Sequence, residues 1–112
     1  MTPAEALAKL AKHLGSDTAR RLVQLFLDRA LPLLGEIEAA AAARDAKALR
    51  HAAHELVTNA GTLGFLELAA AARAIEQAAA SGRQVEAQEQ LDSLRTLTEA
   101  SMAALRARDP HG

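Results

Sequence analysis

A chain of 112 residues with no cysteine and 2% aromatics can bury one modest core, forms no disulfide or thiolate metal site, and offers no aromatic platform for nucleic-acid bases. Its 13 basic and 14 acidic residues are interspersed and leave a formal net charge of −1, which excludes the basic field that binds a phosphate backbone. No stretch has the uninterrupted apolar length of a membrane span, and the first residues lack the basic and apolar run of a secretion signal, so a single cytoplasmic domain over residues 1–112 is expected, with neither membrane nor nucleic acid as partner.

Half of the residues are hydrophobic, alanine supplies much of that share and β-branched residues are scarce, so the class is all-α. The breakers are Pro3, Gly15, Pro32, Gly35, Gly61, Gly64, Gly82 and Pro110, with helical periods between them. A short helix is expected from about Pro3 to Lys12, with proline at an early position where its missing N–H costs little. Ser16-Asp17 can cap a second helix that carries Leu22, Leu25, Phe26 and Ala30 on one face up to Pro32, where a kink or restart is expected. A third runs from about Leu33 to Arg44. Asp45 is placed to N-cap the next, which holds His51 and His54 and ends near Gly64. Another spans about Phe65 to Ala80 and stops at Ser81-Gly82. The last runs from about Val85 to Arg106, with Ala87, Leu91, Leu94, Thr98, Met102 and Leu105 as its inner stripe, and residues 107–112 are expected to fray. Amphipathic helices joined by short turns imply an antiparallel four-helix bundle with an additional short N-terminal helix.

On the helix that begins at Asp45, Leu49, Ala53, Leu56, Ala60 and Leu63 repeat at i, i+4, i+7, i+11 and i+14, which makes one narrow core stripe. His54 lies roughly 140° from the middle of that stripe and so faces solvent, with Lys47, Thr58 and Gly61. Glycine inside a helix costs about 1 kcal/mol relative to alanine, so Gly61 suggests a face where something approaches closely. Position 57 lies about 80° from the stripe, at its boundary. His13 and His111 read as surface residues.

The segment Ala53-His54-Glu55-Leu56-Val57-Thr58-Asn59-Ala60-Gly61-Thr62-Leu63-Gly64-Phe65 resembles the signature of histidine phosphotransfer domains: an Ala-His pair, an apolar residue, a Lys-Gly step, small residues and a Leu-Gly. Upstream, Phe26-Leu27, Leu31-Pro32, Leu34, Ile37, the alanine run, Asp45 and Leu49 resemble that family's lead-in, and downstream Leu68, Ile75 and Glu76 resemble its next helix. The resemblance covers residues 17–82. It implies that His54 is the phosphoryl acceptor and that Gly61 and Gly64 shape its helix. It also implies a carrier rather than an enzyme, with no metal and no cofactor of its own. Phosphoryl transfer needs a metal and charged clamps, and neither an acidic cluster nor a phosphate loop is evident here, so the partner must bring them. The implied partner is a response-regulator receiver domain, whose aspartate exchanges the phosphoryl group beside a bound magnesium ion, and the implied donor is a histidine kinase or hybrid kinase.

The chain departs from the pattern at two positions, where Val57 and Thr58 replace the usual Lys and Gly. Helical side chains lean toward the N-terminus, so Thr58 tilts back toward His54 and is expected to support its imidazole or the phosphoryl oxygens, while Arg50 tilts away. Val57, Gly61, Gly64, Leu66 and Arg73 are expected to form the docking face, with Leu66, Ala70 and Arg73 opposite the core stripe of their helix. Three other readings stay open. His54-Glu55 with Thr58 also resembles the H-box of a sensor kinase, although Asn59 stands where that motif has Pro. His51 and His54, at i and i+3, could approach one metal. A helical interaction module that has lost phosphotransfer is the third. The kinase, the regulator, the direction of flow and the oligomeric state are left open.

Overall fold

The computed structural model describes residues 3–108, and every element among them is helical: α1 (Pro3–Leu14), α2 (Ser16–Ala42), α3 (Ala46–Thr62), α4 (Leu66–Ala80), α5 (Gln84–Glu89) and α6 (Leu91–Arg108). Helices α2, α3, α4 and α6 pack in a closed ring, each against the next, to make the four-helix bundle. The short α1 lies mainly on α2, and α5 bridges α4 and α2. No helix among the described residues is long and apolar enough to cross a membrane. His111 lies outside the described residues, as do residues 109–112 of the expected frayed tail; residues 107–108 are the end of α6.

The core runs through all four bundle helices. Leu33, Leu34 and Ile37 of α2 meet Leu49 and Leu56 of α3, Leu68 and Ile75 of α4, and Leu94 and Leu105 of α6, all essentially without solvent contact. Alanines fill the space between them, among them Ala53 and Ala60 on α3 and Ala72 and Ala79 on α4, which allows α3 and α4 to pack closely over their length. Thr98 is the buried polar member of the α6 stripe, and its hydroxyl donates to the Leu94 carbonyl at 2.8 Å, so its burial leaves no unmet donor.

Local chemistry accounts for most of the boundaries. The Asp45 carboxylate accepts from the Ala48 N–H at 3.1 Å and caps α3, as its position in the sequence predicts. Helix α3 ends at Thr62 and is closed by Gly64, whose φ of 79° is left-handed; the Phe65 N–H reaches the Ala60 carbonyl and the Gly64 N–H reaches that of Gly61. This turn drops Phe65 into the core, 5.5 Å from the ring of Phe26, and points α4 back along α3. The same cap closes α2, but there the left-handed residue is Arg44, at φ 55°. That conformation strains a residue with a Cβ by about 1–2 kcal/mol, and glycine returns about 0.5–1 kcal/mol of the relief as chain entropy. Arg44→Gly is therefore expected to raise the melting temperature by a few degrees in a thermal scan.

Four expectations are corrected. Pro32 neither ends nor restarts the second helix: α2 is one element of 27 residues, because Pro32 lies on its exposed face, where water can serve the carbonyl that loses a partner, while Ala30, Leu33 and Leu34 anchor both sides in the core. Gly15, at φ 88°, precedes α2 and no side chain caps it, so Ser16 and Asp17 are its first residues instead of its cap. Leu25 is exposed, since the buried stripe of α2 follows Phe26, Ala30, Leu33 and Ile37 and leaves Leu25 about 120° away. The last helix is two, divided at Gln90, because α5 is tied to the end of α2 through Gln84 to the Arg44 carbonyl and Gln88 to the Ala41 carbonyl, whereas α6 runs along the bundle.

One ion pair fastens the functional helix to its neighbour. Arg29 of α2 donates from Nε and Nη2 to the two carboxylate oxygens of Glu55, at 2.7 and 3.0 Å, and from Nη1 to Glu36. The hydrogen bond from Arg29 holds the Glu55 carboxyl below the usual carboxylate range. A depressed folded value stabilises at pH above the unfolded carboxylate value, and that stabilisation is lost as pH falls through the folded one. Glu55→Gln is expected to lower the melting temperature by a few degrees at neutral pH, and the difference from the parent should shrink as pH falls through the depressed folded value of Glu55, where the parent loses the charge as well.

Candidate functional site

Helices α3 and α4 form an antiparallel hairpin about the turn at 63–65, so residues equally far from that turn face each other. His54 lies eleven residues before Phe65 and Glu76 eleven after it, and they meet: His54 Nδ1 and Glu76 Oε2 are 2.8 Å apart. The imidazole is 66% exposed, whereas the carboxylate that holds it is 24% exposed and set against the hairpin. A carboxylate oxygen accepts from a ring N–H, so with Nδ1 as the donor the neutral tautomer has its lone pair on Nε2, which makes no hydrogen bond among the described residues. A neutral imidazole with Nδ1–H anchored and Nε2 open is oriented as a nucleophile or a proton acceptor.

Around this ring runs a shallow open cleft between α3 and α4. Asp45, Lys47, Arg50 and His51 line one side of His54, and Val57, Arg73 and Gln77 line the other. Arg50 shares both parts of the cleft with His54, despite the backward tilt expected of it. His51 lies in the same cleft, but no group of three His, Asp or Glu side chains suited to a metal exists among the described residues. Glu55, next to His54 in sequence, is turned to Arg29 on the other flank of α3, so it is not the partner of the ring.

Two expected site residues have different surroundings from those read in the sequence. Thr58 does not reach the imidazole: its hydroxyl donates to the His54 backbone carbonyl at 3.3 Å, the usual outlet for a threonine inside a helix. Val57 is not at an exposed boundary but 8% exposed, because α2 and α4 cover both flanks of α3 and widen its buried arc to include Ala52 and Val57. Its edge still forms part of the cleft floor beside His54. The other expected residues are on the surface or at the turn. Gly61 is exposed, with no atom beyond its chain neighbours and its own helix backbone within 4 Å of where a Cβ would stand, so no packing contact requires a glycine there. Leu66 opens α4 at 59% exposure, Ala70 and Arg73 are exposed on the same helix, and Gly64 forms the turn. Glu76 is the residue whose role sequence reasoning missed. The signal was available in the hairpin register, once Gly64 is taken as the turn.

Comparison with known proteins bears on the fold and the family. A search of curated proteins found no match. Among solved structures, the histidine-containing phosphotransfer protein B (HptB) from Pseudomonas aeruginosa PAO1 superimposes with a TM-score of 0.86 over 93% of this chain and 90% of its own, at 24% identity, which is a likeness of fold. The Hpt domain family matches residues 21–108, which takes in α3 and α4 whole and the last helix as well. With most of its length matched, the chain belongs to the Hpt domain family of phosphorelay proteins.

Proposed function

We propose that this chain is a cytoplasmic phosphoryl carrier that receives a phosphoryl group on Nε2 of His54 from a histidine kinase or hybrid kinase and exchanges it with the aspartate of a receiver domain. The observation that carries this reading is the anchored ring: Nδ1 is held by Glu76 at 2.8 Å on an imidazole that is largely open to solvent. In the exchange, the Nε2 lone pair attacks phosphorus, the Nε2–P bond forms as the bond from phosphorus to the aspartyl oxygen breaks, and the electron pair leaves with the receiver carboxylate. The ring becomes cationic with its proton still on Nδ1, and the Glu76 carboxylate stabilises that charge. The reverse sequence returns the group. The metal required for transfer is expected on the receiver, and this chain brings the nucleophile and its orientation.

The docking face in this reading is the strip of small and apolar residues beyond His54, made by the exposed Gly61 and Leu66 and the half-buried Gly64 with Arg73 at its flank, and the buried Val57 at its floor. A receiver must bring its aspartate within bonding distance, and a strip without bulky charge allows that approach. Gly61→Arg is expected to slow transfer from a phosphorylated receiver at least tenfold. The melting temperature should hold or rise slightly, since the site is open and arginine is the better helix former by about 0.8–1 kcal/mol. Unchanged transfer would remove this strip from the interface. The reading as a whole is tested by incubating the chain with a phosphorylated receiver or its relay kinase: acid-labile, alkali-stable phosphate on His54 is expected. A chain that gains none is an interaction module that has lost transfer.

A further inference from the structure

Phosphorylation of His54 would place about −2 of charge on a ring whose other nitrogen is 2.8 Å from the carboxylate of Glu76. Like charges so close oppose each other unless cations stand nearby. The turn of α3 that follows His54 supplies none: Val57 is apolar and buried, and the Thr58 hydroxyl is bonded to a backbone carbonyl.

The cleft is lined by two arginines beside His54, with Lys47 farther along α3. Arg50 enters from α3, one turn before His54, and Arg73 enters from α4, one turn before Glu76. The register that sets His54 against Glu76 also sets the turn of Val57 and Thr58 against the turn of Arg73, so the two arginines flank the imidazole from opposite ends and from different helices. Elsewhere on the surface, Arg20, Arg29, Arg83 and Arg95 are each within 4.0 Å of a carboxylate. Arg50 and Arg73 are exposed and have no such partner among the described residues, although Glu76 lines the same cleft. Unpaired arginines are ordinary on a helical protein. A pair that lines one cleft with one histidine from two helices, where the Glu76 carboxylate is engaged by that histidine and Asp45 caps the start of α3, is an unfilled anion site. Guanidinium groups suit it, since each can present two parallel N–H donors to phosphoryl oxygens.

We propose that Arg50 and Arg73 hold the phosphoryl oxygens of phospho-His54, one from each end of the cleft, and so offset the charge of Glu76 and favour the phosphorylated form of the chain. This rests on His54 as the phosphorylated residue. The test needs no protein partner. The chain is phosphorylated with phosphoramidate, a small-molecule donor to imidazoles, and the phosphoryl group is titrated by phosphorus NMR in the parent, in Arg50→Gln with Arg73→Gln, and in the corresponding double lysine variant. Nearby cations favour the dianion, so the parent midpoint is expected below that of the double glutamine variant by about half a pH unit or more at low salt, with the gap narrowing at high salt. The double lysine variant is expected to keep most of the lowering. Equal midpoints in the parent and the glutamine variant, with His54 labelled and helicity unchanged, would overturn the arginine site alone. Labelling at a residue other than His54 would overturn both the arginine site and the functional reading beneath it.

Discussion

His54→Gln is expected to abolish acid-labile labelling of the chain by a phosphorylated receiver and to leave the melting temperature within about 3 °C of the parent. The chemical loss is complete because an amide nitrogen has no basic lone pair to form a bond to phosphorus. The structural loss is small because the ring is 66% exposed and touches the fold through one hydrogen bond, to Glu76, which the amide N–H of glutamine can replace. Surface substitutions of this kind stay within about 0.5 kcal/mol, and at this chain length that is a shift of a few degrees. His51→Gln is the matched control. It lines the same cleft one turn earlier, and its loss should leave labelling in place. Loss of labelling in His51→Gln with retention in His54→Gln would move the site by a turn and remove the role given to Glu76.

Val57→Lys has the second-largest expected effect, and it acts in two opposed directions. Val57 is 8% exposed, so the substitution removes packed apolar surface and must thread a lysine stem along the cleft floor before its ammonium meets water. A cost of about 1–3 kcal/mol follows, which lowers the melting temperature by roughly 5–15 °C. The ammonium then emerges between His54 and Arg73, where it can make a charge-assisted bond to the phosphoryl group that the unphosphorylated chain lacks. A differential gain of about 1.4 kcal/mol shifts the exchange tenfold toward phospho-His54. Both effects are read on one sample: thermal melting for the first, and for the second the ratio of phospho-His54 to phospho-receiver at equilibrium, well below the melting range. A lower melting temperature with an unshifted ratio at low salt would show that position 57 serves packing alone. An unchanged melting temperature would contradict the burial of the valine.

Local and periodic signals carried a large part of this protein. The repeat of Leu49, Ala53, Leu56, Ala60 and Leu63 was sufficient to define the core face of α3 and to turn His54 outward, because helical side-chain direction depends only on spacing. The Asp45 cap and the Gly64 turn were legible for the same reason, since each is made by a few neighbouring residues. The Ala-His pair and the Gly61 to Gly64 spacing were enough to suggest the family to which the chain belongs.

What depended on neighbours distant in sequence was decided only in the assembled bundle. Pro32 has a poor intrinsic place in a helix, yet α2 continues through it because core contacts on both sides outweigh the loss of one hydrogen bond. Val57 is covered because two helices flank α3, which no single-helix projection can register. The break at Gln90 follows from the attachment of α5 to the end of α2 across 40 and 47 residues of chain. Above all, the partner of His54 comes from the opposite helix of the hairpin. Glu55 stands beside the histidine in sequence but is bound to Arg29, while Glu76, twenty-two residues away, holds the ring. Sequence alone determined which residue could carry the chemistry, since that is a matter of residue type and helical face; tertiary structure decided which charges surround it, since electrostatic interaction depends on distance in space.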